Sequence, residues 1–171
     1  MTAPFTTAEV RTAVEVLAAR PMIRLITEID DNGAIPPRRL AATLPDLSTH
    51  HLRTTAETAR THGLVRPAPG AGLELTDKGK EMADVYDAAA RWSRRHATPA
   101  AVCEFSTRVR HVLDLLTPPL PDEITPGRAR RTAARLHSSA EADLARHRAL
   151  LLQWLADNPQ VTRASASEPI A

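Results

Sequence analysis

Apolar residues recur every three to four positions along most of this sequence, which is the spacing of one face of an α-helix. Thr6 and Glu9 have the spacing of a capping box, and the apolar positions after them predict a first helix from about residue 7 to residue 19. Pro21 begins a second helix, which the Asp31-Asn32-Gly33 sequence ends. Pro36-Pro37 begins a short third helix. The N-terminal part of the chain is thus predicted to consist of three helices.

The segment from residue 47 to residue 75 predicts a helix followed by a β-hairpin. Ser48 is a favourable N-cap, and Leu47 before it forms a hydrophobic staple with Leu52 inside the helix. Gly63 is a typical helix terminator. Two short β-like runs, residues 64–66 and 73–75, flank a turn rich in proline and glycine, so we expect a small two-stranded hairpin.

Helical spacing resumes after the hairpin. Thr76 caps a long fifth helix that is expected to end near His96. Thr98-Pro99 begins another helix, whose apolar stripe from Val102 to Leu116 suits packing along a partner helix. The hairpin is therefore expected to lie between two groups of helices.

The C-terminal part of the chain carries two more helix-start signals, Thr125-Pro126 and the pair of Ser138 with Glu141. The second signal opens a helix whose inward-facing residues are expected to be Leu144, Leu151, Trp154 and Leu155. From Asn158-Pro159 onward the sequence is rich in serine and alanine, so residues 158–171 are expected to form a flexible tail.

Composition favours helices over strands. Aromatic residues make up 3% of the chain and there are six glycines, which disfavours a large β-sandwich or barrel. Three short helices, a two-stranded hairpin and a long helix follow one another in the order of a winged helix-turn-helix. We therefore expect a mainly α fold, a winged helix-turn-helix with a short two-stranded wing and additional C-terminal helices. The predicted domains are residues 1–97 for DNA binding, residues 98–157 for a helical dimerisation or sensor extension, and residues 158–171 for the tail.

The same region resembles the HxlR-type transcriptional regulators. The stretch from Pro37 to Val65, PRRLAATLPDLSTHHLRTTAETARTHGLV, is similar to that family's helix, Leu-Pro-x-hydrophobic-Ser junction, recognition helix and Gly-Leu-Val strand. The stretch from Leu73 to Met82, LELTDKGKEM, and the spacing of Trp92 and His96 extend the resemblance over roughly residues 14–96. The resemblance implies a winged helix that binds DNA, and it does not include the C-terminal helices.

The residues expected to contact DNA lie on the fourth helix and beside it. The major groove admits one helix, so side chains on the exposed first turns of that helix can reach base edges. Arg53 suits a guanine edge or a phosphate, while Ser48 and Thr49 can hold phosphates near the helix N-terminus. The alternative is a solvated helix surface on which Arg53 pairs with Glu57. The candidate DNA-binding residues are Arg38, Arg39, Ser48, Thr49, His50, Arg53, Thr54 and Arg66.

The charge balance leaves a second class of function open. Lysine and arginine number 22 against 20 acidic residues, a net charge of +2, so bulk charge attracts phosphate only weakly. A winged-helix module for protein–protein interaction without DNA binding is therefore the alternative. The GxSxG, P-loop and GxGxxG signatures are missing from the sequence, so no enzymatic activity is expected.

A homodimer is expected, because two domains on one scaffold can read DNA half-sites about 34 Å apart. Its seam is expected to use the first helix and the stripes at Val102–Leu116 and Leu144–Leu155. A small-molecule effector in an apolar cleft is a further hypothesis, against the more usual interpretation that such stripes fill a dimer core. The candidate cleft residues are Trp92, Phe105, Val109 and Trp154.

The remaining expectations concern cofactors, redox chemistry and location. No cofactor or metal is expected, because the seven histidines show no zinc-motif spacing. Cys103 is the single cysteine, so it cannot form an internal disulfide, and a buried thiol is expected there in preference to a redox sensor. No run approaches the ~20 apolar residues of a membrane helix, so the protein is expected in the cytoplasm.

Overall fold

The computed structural model describes residues 5–96, 104–117 and 138–166. Within these ranges the chain is mainly helical, with one two-stranded antiparallel sheet. The helices are α1 (Thr7–Leu17), α2 (Arg20–Asn32), α3 (Leu40–Thr43), α4 (Thr49–Thr61), α5 (Asp77–Arg95), α6 (Phe105–Leu116), α7 (Ser138–Asp157) and α8 (Pro159–Ala166). The strands are β1 (Val65–Ala68) and β2 (Gly72–Leu75), and a 3-10 turn, Pro37–Arg39, leads into α3. No helix in the described ranges has the length and apolarity needed to cross a bilayer.

Local capping residues set the ends of the first helices. The predicted capping box at α1 is formed, with the Thr6 N–H donating to the Glu9 carboxylate at 2.7 Å. The helix ends at Leu17, two residues earlier than the periodicity predicted, because Ala19 takes an extended backbone as the N-cap of α2. The predicted Thr76 cap of α5 is also confirmed, since its hydroxyl accepts from the Gly79 N–H at 3.1 Å.

The predicted hairpin is present, in a register that pairs Val65 with Leu75 and Ala68 with Gly72. Ile35 extends this sheet by one residue, because it exchanges two backbone hydrogen bonds with Leu73, at 3.0 and 2.9 Å. The turn end of the hairpin is therefore anchored to the segment that leads into α3.

One apolar core joins the N-terminal and C-terminal helices, and α5 passes through it. Tyr86 on α5 is fully buried, and its hydroxyl donates to the Leu17 carbonyl of α1 at 2.6 Å. Burial raises the pKa of Tyr86, so this hydroxyl stays protonated and continues to donate. Further along α5, the Trp92 indole N–H donates to the Ala140 carbonyl of α7 at 3.3 Å. α5 thus links α1 to α7.

The expected flexible tail is wrong for its first residues, which form α8. Asn158 is fully buried, and its amide donates to the Trp154 carbonyl at 2.7 Å, which closes the end of α7. Val161 is fully buried and α8 packs against α1. Thr162 is buried beside it, so small and polar residues of this stretch also take part in the packing. Residues 167–171 lie outside the described part of the chain.

The apolar stripes expected at a dimer seam are instead buried within the single chain. Val109, Val112 and Leu113 on α6 are 0% exposed, and α6 packs against α5 and α2. The predicted inward residues of α7 are confirmed, because Leu144, Leu151, Trp154 and Leu155 are all buried in the same core. The apolar periodicity identified the buried faces of α6 and α7 correctly. These faces pack against other helices of the same chain and not, as expected, against a second copy.

Several predictions fall outside the described residues. Thr98-Pro99, Val102 and Cys103 precede α6, which begins at Phe105, and the Thr125-Pro126 signal lies between α6 and α7. The predicted domain boundary between residues 97 and 98 falls in the same gap.

Candidate nucleic-acid interface

The start of α4 is built as the sequence predicted. The Ser48 hydroxyl accepts from the His51 N–H at 3.2 Å, and Leu47 and Leu52 are both buried. The N-cap thus uses Ser48 as an acceptor and leaves its O–H available as a donor. At the other end, Gly63 has a φ of +71°, a conformation that favours glycine and stops the helix.

The predicted outward face of α4 is exposed. Leu52 and Ala59 are buried on the opposite face, and Ala56 is half-buried, which fixes the rotation of the helix about its axis. The exposed side chains are Thr49, His50, Arg53, Thr54, Glu57 and Arg60. This face is therefore open to a partner along its whole length.

Arg53 lies in the middle of this face, and within the described ranges it forms no ion pair. The pairing of Arg53 with Glu57, which a purely solvated helix surface suggested, is not formed. Glu57 instead pairs with Arg60, with 3.4 Å between the carboxylate oxygen and the guanidinium nitrogen. The charge of Arg53 remains available to an outside anion.

Arg38 and Arg39 lie in the 3-10 turn before α3, and both side chains are exposed. Like Arg53, they form no ion pair with any residue that the structure describes. Pro37 and Leu40, on either side of these arginines, line a groove that α4 borders with Leu52 and Arg53. We call this cavity of about 330 Å³ the α3–α4 groove. Arg53 is among its lining residues, whereas Arg38 and Arg39 are not.

Arg66 is exposed but its charge is compensated. It lies opposite Glu74 in the hairpin register, and its guanidinium donates to that carboxylate at 2.7 Å. Contact with a phosphate would therefore have to displace this pair. Arg66 is a weaker candidate for DNA contact than the arginines of α3 and α4.

A charged network that sequence reasoning missed holds the loop before α4. Arg24 donates twice to the Asp46 carboxylate, at 3.2 Å each, and Arg20 donates to it at 2.9 Å. Arg20 also donates to Glu104 at the start of α6, at 3.1 Å. These hydrogen bonds lower the pKa of both carboxyl groups, so both are ionised at neutral pH. The only sequence signal was the i, i+4 spacing of the two arginines.

The residues proposed for an effector cleft are packing residues. Trp92, Val109 and Trp154 are buried, and Phe105 packs half-buried against the same core. The hydrogen bond from Trp92 to Ala140 also fixes the indole in place. These four side chains are therefore better interpreted as core residues than as the lining of a ligand cleft. The core that they fill is that of a single chain and not that of a dimer.

Within residues 5–96, 104–117 and 138–166, no group of three or more histidine, cysteine, aspartate or glutamate side chains is placed to hold a metal ion. No family model, curated protein or solved structure matches the chain. No relative therefore assigns a role to these residues, and the candidate surface is defined by its exposed side chains and by the three arginines that form no ion pair with a described residue.

Proposed function

We propose that the chain is a winged helix-turn-helix regulator of transcription that binds double-stranded DNA. In this proposal α4 is the recognition helix and the hairpin of β1 and β2 is the wing. The observation that carries the proposal is the exposed face of α4 with Arg53 in its middle, together with the exposed Arg38 and Arg39 in the turn before α3, none of which forms an ion pair with a described residue. Unpaired cations around an exposed helix suit a polyanion, which releases counterions when it is bound.

The proposed contacts divide into two kinds. Arg53 and His50, near the middle and start of α4, read base edges in the major groove, where arginine can donate two hydrogen bonds to guanine. Arg38 and Arg39 hold the phosphate backbone and fix the register of the helix. Ser48, whose O–H is not used by the cap, and Thr49 donate to a phosphate at the N-terminus of α4. Thr54 lies on the same face and adds a polar contact.

The alternative function is a protein-interaction module with the same fold. The low net charge and the Arg66–Glu74 ion pair favour it, because both reduce attraction to DNA at the wing. The unpaired arginines near α4 favour DNA, and we prefer that function.

Base-reading and phosphate-holding residues should respond differently to substitution. Arg53→Ala should cost about 1–3 kcal/mol of binding free energy on the preferred sequence and relax its sequence preference. Arg38→Ala and Arg39→Ala should each weaken all sequences alike and reduce the slope of affinity against salt by about one unit. Fluorescence anisotropy on a duplex that the parent protein selects from a random pool, repeated over a salt series, measures both effects.

Arg94→Ala is the matched control, because Arg94 is exposed and lies in the last turn of α5, far along that helix from the hairpin. It should bind DNA like the parent protein. The proposal fails if the parent protein selects no duplex sequence, or if all three arginine variants bind as well as the control.

We also propose that the regulator is a homodimer, with a seam different from the stripes that the sequence suggested. Leu150 and Leu152 on α7 are the large apolar side chains that remain exposed in the described ranges, at 56% and 37%. They lie on either side of the buried Leu151, about 200° apart around the helix, so they border the buried face of α7 on its two sides. A second copy of the chain that contacts α7 at both edges of its buried face would cover them and place two recognition helices on one scaffold.

The double substitution Leu150→Glu with Leu152→Glu should raise the dimer dissociation constant at least about a hundredfold, since it buries unpaired carboxylates at the seam. Thr107→Glu, at an exposed position of α6, is the control and should leave assembly unchanged. Sedimentation velocity at micromolar concentration distinguishes the states. A parent protein that sediments as a monomer would contradict the proposal.

A further inference from the structure

The α3–α4 groove has features that DNA recognition does not require. Its floor is apolar, formed by Ile35, Leu52 and Leu73, which are buried, and by Leu40 and Ala56, which are partly buried. Its volume of about 330 Å³ is within the range of small-molecule sites, which starts near ~300 Å³. A base edge or a phosphate would gain little from this apolar floor.

The rim of the groove is cationic. Arg53 and Arg60 line it, and no aspartate or glutamate is among its lining residues. The two arginines are seven residues apart on α4, roughly 10 Å along the helix axis. Arg60 is already paired with Glu57, whereas Arg53 forms no ion pair within the described residues. An anion in the groove would therefore be held by Arg53.

We propose that the α3–α4 groove binds a small carboxylic acid with an apolar body. The apolar body lies against Leu40, Leu52 and Leu73, and the carboxylate accepts hydrogen bonds from the Arg53 guanidinium. Charge complementarity selects this occupant, since an apolar floor beside one unpaired guanidinium matches a molecule with an apolar body and one negative charge.

Such a ligand would also regulate DNA binding. This step rests on the proposed function, in which Arg53 reads the DNA, because one guanidinium cannot serve a base edge and a carboxylate together. Ligand and DNA would then exclude each other, and each would lower the affinity for the other by the same factor. The effector site would thus lie on the recognition helix itself and not between the C-terminal helices and the DNA-binding module, where the sequence suggested a cleft.

The first experiment tests ligand binding without DNA. The probe is 3-phenylpropionate, titrated to about 10 mM into the full chain, because ligands of this size bind in the micromolar to millimolar range. Amide chemical shifts in ¹⁵N-labelled protein should change at Leu40, Leu52, Ala56 and Leu73. The neutral analogue 3-phenylpropanamide should bind at least about tenfold more weakly, because it lacks the charge that Arg53 pairs with.

Three variants locate the site. Arg53→Gln should weaken the acid at least about tenfold without affecting the amide. Ala56→Leu should weaken both compounds, because the added side chain occupies the groove while Arg53 is retained. Arg94→Gln should bind the acid like the parent protein. Three results with the parent protein would overturn the proposal: equal affinity for the acid and the amide, chemical-shift changes at residues outside the groove, or no binding of the acid. None of these results depends on whether the variants fold.

The second experiment adds DNA. In fluorescence anisotropy, 3-phenylpropionate should release a bound duplex and the amide should release much less. Binding of the acid by a protein that selects no duplex would support the groove site while contradicting the proposed function. Binding of duplex and acid at the same time, without mutual weakening, would overturn the regulatory step.

Discussion

Replacing Trp92 with alanine is expected to destabilise the fold by about 3–5 kcal/mol, the usual cost of removing a large aromatic side chain from a core. The indole is 1% exposed and joins α5 to α7 through its hydrogen bond to the Ala140 carbonyl. Alanine leaves a cavity and removes the hydrogen bond between α5 and α7. Trp92→Phe keeps most of the volume, so about 1–2 kcal/mol is expected for it. Urea unfolding followed by circular dichroism gives both values.

The neighbouring Arg91 provides the matched control for Trp92. Its side chain is exposed, so Arg91→Ala should change the free energy of unfolding by no more than about 0.5 kcal/mol. A loss below about 1 kcal/mol for Trp92→Ala would contradict the close-packed interior. It would favour instead the hypothesis that Trp92 lines a ligand cleft.

Features set by neighbouring residues could be predicted from the sequence. The Ser48 cap, the Gly63 terminator and the Thr76 cap each act within a few residues of their position, and all three are formed. They fix the ends of α4 and the start of α5. Because the caps fix where α4 lies in the sequence, its apolar positions also predicted which side chains face outward.

The partners of the apolar faces could not be predicted in the same way. A repeat of apolar residues shows that a face is buried but carries no information about what covers it. The stripe on α6 was therefore expected at a dimer seam, whereas Val109 and Leu113 pack within the chain. The same limit applies to α8, where Val161 gave too weak a signal in a stretch rich in small polar residues.

Ion pairs show the same division between local and distant features. The pairing of Arg66 with Glu74 follows from the hairpin register, so it is a local feature that the spacing of the two strands predicts. The contact of Arg24 with Asp46 joins residues from different elements, and only the folded chain brings them together. The exposed face of α4 was predictable because it also depends on local features, the cap and the spacing of one helix.

Replacing Gly72 with alanine is the second change with a large expected effect. Gly72 has a φ of +111°, a region that alanine adopts at a cost of about 1–3 kcal/mol. A Cβ at this position would also overlap the Ile35 carbonyl oxygen and lie 2.6 Å from the Pro36 Cα. Backbone atoms cannot move aside without breaking the two hydrogen bonds between Ile35 and Leu73. A total loss of about 3 kcal/mol or more is therefore expected.

Substitution of Gly70 separates the cost of the backbone conformation from the cost of the steric overlap with Ile35 and Pro36. It also has a positive φ, +74°, but a Cβ there would meet nothing within 4 Å. Gly70→Ala should therefore cost only the conformational part, about 1–2 kcal/mol. Urea unfolding of both variants measures the difference, which reports the close approach of the hairpin to Ile35. Equal losses would mean that the hairpin is not anchored at Ile35, and the groove floor that Ile35 and Leu73 form would then lose its support.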